Sequence, residues 1–229
     1  MSAPRKETLA EGVELWLGDC LEVLPTQPIF DLCLTDPPYG IGADKAASKN
    51  NGKWGWTYYG ETDWDGERPS KSLFELILSR SKTQIIWGGN YFTDHLPPSM
   101  QWLVWDKGQR DFSLADCEFA WTSQNKAARV FDFPRALALK DGKQHPTQKP
   151  IELFSWCLDQ VPKVKTVCDP FLGSGTSAIS CMRRGLSFVG IERHEPYFDI
   201  ACRRIEAALK QPDMFIEPPK PIKQEALQL

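Results

Sequence analysis

The chain has 229 residues, of which 41% are hydrophobic and 25% charged, as is typical of a soluble globular domain. A net charge of −3 excludes a globally basic nucleic-acid-binding protein but leaves room for a local basic face. No apolar run approaches the roughly 20 residues that span a bilayer, so we expect a cytoplasmic protein with no membrane partner. Seven cysteines without a Cys-x-x-Cys pair, together with three scattered histidines, predict no metal site.

Short apolar runs alternate along the chain with segments of helical periodicity. The predicted strands are 13–18, 30–35, 83–88, 101–106, 117–122, 166–170 and 187–192. The predicted helices are 70–80, 150–160, 175–185 and 195–210. Such alternation predicts an α/β protein with a mostly parallel sheet. Since no helix separates 101–106 from 117–122, we expect one antiparallel strand there.

Two polar segments interrupt this pattern, at 41–69 and 108–144. Connections of this length are usually functional or mobile. We predict a single domain over 1–210 that carries both segments as inserted loops. The Pro-rich tail over 211–229 is expected to lie outside the core.

The stretch "TVCDPFLGSGTSAIS" (166–180) predicts a strand, a glycine turn and a helix. Ligands of parallel α/β sheets bind beyond the carboxyl ends of strands, where Asp169 lies. Gly173 and Gly175 let the backbone approach a ligand, and the N–H groups of the helix start suit an anionic group. The next predicted strand ends in Glu192, whose carboxylate suits the paired hydroxyls of a ribose. A nucleoside-containing cofactor is favoured, although a glycine turn that serves packing alone stays open.

The stretch "TDPPYG" (35–40) follows a second predicted strand. The two prolines remove backbone donors, so the strand end offers the acceptors of the Asp36 carboxylate and the Pro37 carbonyl. An exocyclic amine carries two N–H donors that match them, and the Tyr39 ring offers a face for a planar heterocycle. We interpret the motif as a clamp for an amino-bearing nucleobase; the alternative is a structural turn.

"DPPY" together with "DPFLGSGT" resembles the DNA amino-methyltransferases, which move a methyl group from S-adenosylmethionine to adenine N6 or cytosine N4. "LWLGDCLEVL" (15–24), "WGGNYF" (87–92), "WDK" (105–107), "HPTQKP" (145–150) and "GIERHEPYFDIACRRI" (190–205) resemble further motifs of that family in one order, over about residues 13–209. The resemblance implies a class I, Rossmann-like methyltransferase fold with a seven-stranded, mostly parallel sheet, one antiparallel strand and helices on both faces. The domain over 1–210 would then be catalytic.

The resemblance also implies site residues. The catalytic set is Asp36, Pro37, Pro38 and Tyr39. The S-adenosylmethionine set is Asp19, Cys20, Asp36, His145, Thr147, Lys149, Asp169, Phe171, Gly173, Ser174, Gly175, Thr176, Glu192 and Arg193. His145, Thr147 and Lys149 are expected near the methionine end.

The clamp motif precedes the glycine loop, an order that resembles the permuted beta group and favours DNA over RNA or protein substrates. An Asp at the clamp resembles the adenine enzymes of the family, so adenine N6 is the expected target. Cytosine N4 is the alternative, and a non-catalytic nucleic-acid-binding module on the same fold is a second one. The resemblance makes a homodimer plausible.

The predicted DNA-binding residues come from the two inserted regions. Segment 119–149 carries six Lys/Arg against two Asp, and segment 41–69 interleaves lysines with aromatic residues. The set is Lys45, Lys49, Lys53, Trp54, Trp56, Lys126, Arg129 and Arg135. An ordinary solvated loop is the alternative for the basic segment.

Overall fold

The structure, a computed structural model, describes residues 4–42, 65–110, 115–134, 137 and 148–210. These residues form nine strands: β1 (Arg5–Ala10), β2 (Val13–Leu17), β3 (Phe30–Thr35), β4 (Ser81–Trp87), β5 (Trp102–Asp106), β6 (Cys117–Thr122), β7 (Arg129–Asp132), β8 (Thr166–Asp169) and β9 (Ser187–Glu192). All seven predicted strands are present, with ends that differ by at most two residues. The predicted tail over 211–229 lies outside the described residues.

Five α-helices occur in the same part of the chain: α1 (Cys20–Val23), α2 (Lys71–Arg80), α3 (Ile151–Asp159), α4 (Thr176–Met182) and α5 (Glu195–Lys210). Four of them were predicted, and α4 ends earlier than expected, at Met182. Of the helices described, none is long and apolar enough to cross a membrane.

The strands form one sheet in the order β1-β2-β9-β8-β3-β4-β6-β5-β7. Pairing is parallel except that β1 runs antiparallel to β2, and β6 runs antiparallel to both β4 and β5. This corrects the predicted count, because the sheet has nine strands and two antiparallel ones. The two unexpected strands, "RKETLA" and "RVFD", lie at the sheet edges and are largely exposed, so neither carries the apolar run that the prediction required.

Helices cover both faces of the sheet, as predicted. Alternate residues of β3 point to opposite sides, with Leu32 and Leu34 in one apolar cluster and Cys33 in the other. The first cluster includes apolar residues of α3, α4 and α5, and the second includes those of α2. The core is therefore two layers of side chains, one on each face of the sheet.

The middle of the sheet fixes the place of a ligand site. Neighbouring strands β8 and β3 pair in parallel, with Leu32 opposite Val167 and Cys33 opposite Cys168. From this pair the chain continues in opposite directions, from β8 to β9 on one side and from β3 to β4 on the other. The carboxyl edge at such a point opens into a crevice, where α/β proteins bind ligands.

Gly190, in the middle of β9, is a position at which the packing of the first apolar cluster can be tested. A Cβ there would lie 2.7 Å from Leu172 Cδ1, 2.8 Å from Phe188 Cε1 and 3.1 Å from Leu15 Cδ2. We expect Gly190→Ala to lower the free energy of unfolding by about 1–3 kcal/mol through overpacking. Urea denaturation measures the loss. Ser187→Ala, at the exposed start of the same strand, should stay within about 0.5 kcal/mol of wild type, and equal losses in both variants would contradict this account.

Candidate active site

A cavity of about 420 Å³ opens at the carboxyl edge of the sheet. Its wall combines residues that follow β2, β3, β8 and β9 with the segment from Glu67 to Leu73. Most of the predicted cofactor residues line it: Asp19, Cys20, Asp36, Lys149, Asp169, Phe171, Gly173, Ser174, Thr176, Glu192 and Arg193. The structure therefore brings together residues from five separate sequence motifs.

Three of the predicted catalytic and cofactor residues that the structure describes are not part of this wall. Gly175 is not part of the lining; its φ is +82°, and a Cβ there would meet Ala201 at 3.2 Å, so its role is helix packing. Pro38 lines the cavity, whereas Pro37 and Tyr39 do not. His145 and Thr147 lie outside the described residues.

The glycine loop is held by Glu192 at the end of β9. Its Oε2 accepts a hydrogen bond from the backbone N–H of Gly173 at 2.9 Å, and its Oε1 accepts one from that of His194 at 2.8 Å. Burial raises the pKa of Glu192 to about 7, and the two hydrogen bonds lower it only in part. A Cβ on Gly173, where φ is +54°, would meet nothing closer than 3.9 Å, so the loop leaves open space toward the cavity.

Asp169 ties the end of β8 to β3 and to α4. Its Oδ1 accepts from Thr35 Oγ1 at 2.7 Å and from the Phe171 N–H at 3.0 Å, and its Oδ2 accepts from Ser177 Oγ at 2.6 Å. Burial raises the pKa of Asp169 to about 6 although all three donors oppose this. Asp169 thus shapes the loop in addition to lining the cavity.

Arg204 on α5 also anchors the glycine loop, through Ser174. Its guanidinium donates to the Ser174 carbonyl and, at 2.8 Å, to Ser174 Oγ. No sequence pattern indicates this contact, because an arginine in a helix is ordinary and its partner is 30 positions away.

The clamp motif follows β3 and contributes Asp36 and Pro38 to the cavity wall. Tyr39 donates its hydroxyl to Asp36 Oδ1 at 2.6 Å, and the Lys149 ammonium donates to Asp36 Oδ2 at 2.6 Å and to the Tyr39 hydroxyl at 3.2 Å. Burial raises the pKa of Asp36, and Lys149 lowers it only in part. Burial and the neighbouring Asp36 also raise the pKa of Tyr39, so its hydroxyl stays a donor.

Lys149 continues into an ion network that the sequence analysis missed. Its ammonium lies 3.0 Å from Glu118 Oε2, and Glu118 Oε1 lies 2.6 Å from the ammonium of Lys107. Burial opposes the ionisation of Glu118, but Lys149 and Lys107 together hold the pKa of its carboxyl at about 2. An acid inside the apolar strand "CEFAWT", and the lysine of "WDK", are the signals that could have pointed to this network.

Tyr39 is surrounded by other rings and by a glycine. Its ring stacks on that of Tyr91 with centroids 4.8 Å apart and planes at 16°, and it meets Phe92 edge-on at 6.2 Å. A Cβ on Gly88, where φ is +69°, would come within 2.0 Å of the Tyr39 ring. The glycine of "WGGNYF" is therefore required for the position of Tyr39.

The cavity wall also includes residues of the predicted loop 41–69 that the site prediction omitted. Glu67, Arg68 and Pro69 line it, and Arg68 pairs with Asp94 at 2.9 Å and donates to the Tyr91 carbonyl at 2.5 Å. The end of that loop is thereby fastened beside the clamp motif. Polar loop composition alone does not indicate such a contact.

Of the predicted DNA-binding residues, two are described. Lys126 donates to the Gln160 carbonyl at 3.0 Å, and Arg129 is an exposed residue of the edge strand β7. Lys45, Lys49, Lys53, Trp54, Trp56 and Arg135 lie outside the described residues.

Comparison with solved structures shows the fold. The M1.HpyAVI–SAM complex aligns with a TM-score of 0.54 at 17% identity, over 84% of this chain and 98% of that one. The cytosine-N4-specific PvuII DNA methyltransferase aligns with a TM-score of 0.54 at 14% identity, over 88% and 87% of the two chains. The fold is that of the class I methyltransferases.

Sequence comparison shows the family. A model described as DNA methylase, for the N6 and N4 methyltransferases, matches residues 115–203. The type II methyltransferase M2.DpnII of Streptococcus pneumoniae is 31% identical over 226 residues, which cover 78% of this chain and 83% of that protein. M.ScaI of Streptomyces caespitosus is 27% identical, over 90% of this chain and 85% of its own length. The chain belongs to the N6/N4 DNA methylase family, and it is an S-adenosylmethionine-dependent DNA amino-methyltransferase.

The hydrogen bond from Thr35 to Asp169 gives a pH-dependent test of the site. Thr35→Val removes a donor to a buried carboxylate, which should cost about 1.5–3 kcal/mol of unfolding free energy at pH 8. Because the folded-state pKa of Asp169 is about 6, above its ordinary 3.8, the native protein takes up a proton as the pH falls through 6. The cost should therefore shrink at pH 5.

Ser180→Ala is the matched control for this measurement. Its buried hydroxyl donates to the Thr176 carbonyl at 3.0 Å and to the Ile151 carbonyl at 3.2 Å, and neither acceptor titrates. Urea denaturation at both pH values should show a constant cost for Ser180→Ala. A pH-independent cost for Thr35→Val as well would show that Asp169 does not titrate as described.

Proposed function

We propose that this amino-methyltransferase acts on the exocyclic N6 amine of adenine in DNA, with Asp36 as the main acceptor for that amine. The observation that carries the proposal is the position of Asp36. It stands at the end of β3, lines the cavity, and is held by Tyr39 at 2.6 Å and Lys149 at 2.6 Å. A carboxylate has about four lone-pair sites, so Asp36 keeps acceptor capacity after these two bonds.

The residues at the glycine loop fit the cofactor. Glu192 presents a carboxylate for ribose hydroxyls, Asp19 lines the same cavity, and Gly173 leaves room for a ligand against the backbone. The cofactor would supply a methyl group carried on a sulfonium. The other proposed contacts are the lining residues of the predicted set, together with His145 and Thr147.

The clamp residues would prepare the target amine. A base inside a duplex is out of reach, so the target has to leave the base stack. Hydrogen bonds from its amine to Asp36 and to the Pro37 carbonyl would raise the electron density on a nitrogen that is otherwise conjugated with the ring. Tyr39 would contribute the stacking face, and Pro38 would hold the backbone between them. Catalysis then depends on orientation and preorganised charge.

Adenine is favoured by the aspartate of the clamp, which resembles the adenine enzymes of the family. Cytosine N4 is the second candidate, because the PvuII structure that shares the fold is of a cytosine-N4-specific enzyme. A non-catalytic module on the same fold is disfavoured, since the acids and the glycine loop are all present around one cavity.

The DNA would lie against the two inserted regions. The basic excess of 119–149 and the lysine and aromatic residues of 41–69 provide phosphate contacts and stacking surfaces. The homodimer and the beta-group assignment are further predictions.

Methyl transfer to DNA is measured directly with labelled cofactor. Purified protein is incubated with unmethylated DNA, which is then digested to nucleosides for mass spectrometry. We expect N6-methyladenine. N4-methylcytosine alone would establish the second candidate instead, and absence of both products across several DNA sources would support a non-catalytic module.

Asp36→Asn should lower the single-turnover rate of transfer on the order of a hundredfold or more, because a preorganised charged acceptor is lost. Cofactor affinity, measured by calorimetry, should change little, since most proposed contacts come from Asp19, the glycine loop and Glu192. Asp159→Asn is the control: this exposed carboxylate pairs with Arg184 on the surface and should leave the rate unchanged. Near wild-type transfer by Asp36→Asn would reduce the clamp to a structural turn.

A further inference from the structure

The described polar contacts of Lys149 are with the clamp residues Asp36 and Tyr39 and with Glu118. An ammonium has three donors, and the structure places Asp36 Oδ2 at 2.6 Å, the Tyr39 hydroxyl at 3.2 Å and Glu118 Oε2 at 3.0 Å around it. Only 6% of Lys149 is exposed. Its hydrogen bonds to Asp36 and Tyr39 and its ion pair with Glu118 therefore connect Lys149 with the clamp.

Behind Lys149 stands a second pair of charges. Glu118 bridges Lys149 and Lys107, and Lys107 is itself 7% exposed. Neither Glu118 nor Lys107 lines the cavity. The order Lys107, Glu118, Lys149, Asp36 alternates in sign, and its formal charges cancel.

Fold stability alone does not explain why the chain buries this ion network. Removing charges from water costs several kcal/mol per ion, and apolar side chains of similar volume often stabilise a fold equally well. A lone carboxylate in the position of Asp36 would tend to be protonated, and a protonated oxygen is a weaker acceptor. The buried ammonium of Lys149 opposes this protonation. Glu118, its counter-ion, holds the ammonium in place.

We propose that Lys149 is a positioning residue for Asp36, and that Glu118, held by Lys107, fixes Lys149 in that role. The inference rests on the proposed function of Asp36 as the acceptor of the target amine. It assigns to the lysine of "HPTQKP" the task of keeping the Asp36 carboxylate ionised and oriented. Glu118 and Lys107 act only through Lys149.

Several titratable groups face Asp36, and they predict opposite effects for two variants. Lys149 and Tyr39 stabilise its ionised form, whereas Glu118 destabilises it, and Asp169 at the end of β8 is a further acid close enough to interact. Loss of Lys149 should therefore move the titration of Asp36 to higher pH. Loss of the Glu118 charge should move it to lower pH.

The titration of Asp36 is followed by nuclear magnetic resonance in protein labelled with carbon-13 at the aspartate carboxyls. The Asp36 signal is identified by its absence in Asp36→Asn. We expect Lys149→Met to raise the titration midpoint by about one pH unit or more, and Glu118→Gln to lower it. Lys149→Arg, which keeps the charge, should recover at least half of the shift. Lys82→Met, a surface lysine paired with Asp31 at the opposite edge of the sheet, is the control that should leave the midpoint in place.

The same variants are compared in single-turnover transfer at saturating cofactor across pH. One pH unit corresponds to a tenfold change in the ratio of ionised to protonated carboxyl. We expect the acid limb of the Lys149→Met profile to move to higher pH together with its carboxyl midpoint, so that the variant loses most rate below that midpoint and regains much of it above. The acid limb of Glu118→Gln should move to lower pH. Equal losses at every pH, with unmoved midpoints, would overturn the inference and leave Lys149 a structural residue.

Three further outcomes stay distinguishable. If wild type transfers no methyl group to DNA, the proposed function fails, while the carboxyl titration still decides whether Lys149 controls Asp36. If wild type is active and Lys149→Met shows wild-type midpoints and rates, the inference alone fails. If Lys149→Met does not fold, the Asp36 midpoints of Glu118→Gln and Lys149→Arg decide the case. A lowered midpoint in Glu118→Gln supports the inference, and a raised or unmoved midpoint overturns it.

Discussion

The parallel pairing of β3 with β8 is the contact on which the site depends. It brings together Thr35 and Asp169, which are 134 positions apart in the chain, and joins them by a buried hydrogen bond of 2.7 Å. The clamp motif begins at the next residue after Thr35, and the glycine loop begins just after Asp169. Because both strands run in the same direction, their carboxyl ends reach the same edge, and one crevice receives both motifs.

The balance of charge around that crevice sets a second constraint. Carboxylates stand just after β2 and β3 and at the last residues of β8 and β9, and burial raises the pKa of three of them, Asp36, Asp169 and Glu192. Asp169 and Glu192 are each stabilised by neutral donors from the protein, hydroxyls and backbone N–H groups. Asp36 alone among the three has a lysine as its partner. Two of the three buried carboxylates are therefore held by neutral donors, and the third, Asp36, is held by a cation.

Much of this arrangement could be predicted from the sequence, because it depends on local patterns. The alternation of apolar runs and helical segments gave seven of the nine strands and four of the five described helices. Asp36, Asp169 and Glu192 could be placed at one edge because each ends a predicted strand. The strands β1 and β7 escaped prediction since edge strands need no apolar run.

The remaining parts of the site depend on contacts between distant segments, and for these the sequence has no local pattern. Glu118 and Lys107 come from strand β6 and the end of β5, and their link with Lys149 exists only after the sheet has formed. In the same way, Arg204 on α5 contacts the glycine loop only once the chain has folded. Lys149 belongs to the family-like motif "HPTQKP", but that motif does not indicate its contacts with Asp36, Tyr39 and Glu118.

Tyr91 covers one face of the Tyr39 ring while only part of its own surface is shielded, since 38% of it is exposed. A planar ring that takes this face must first displace Tyr91. The incoming ring then gains only the difference between its own stacking free energy on Tyr39 and that of Tyr91. A base that stacks on an uncovered aromatic side chain gains the full value, about 1–3 kcal/mol. When that ring departs, Tyr91 can return, so Tyr39 is not left bare to water. A ring that replaced Tyr91 on this face would therefore bind less tightly than one that stacked on an uncovered tyrosine.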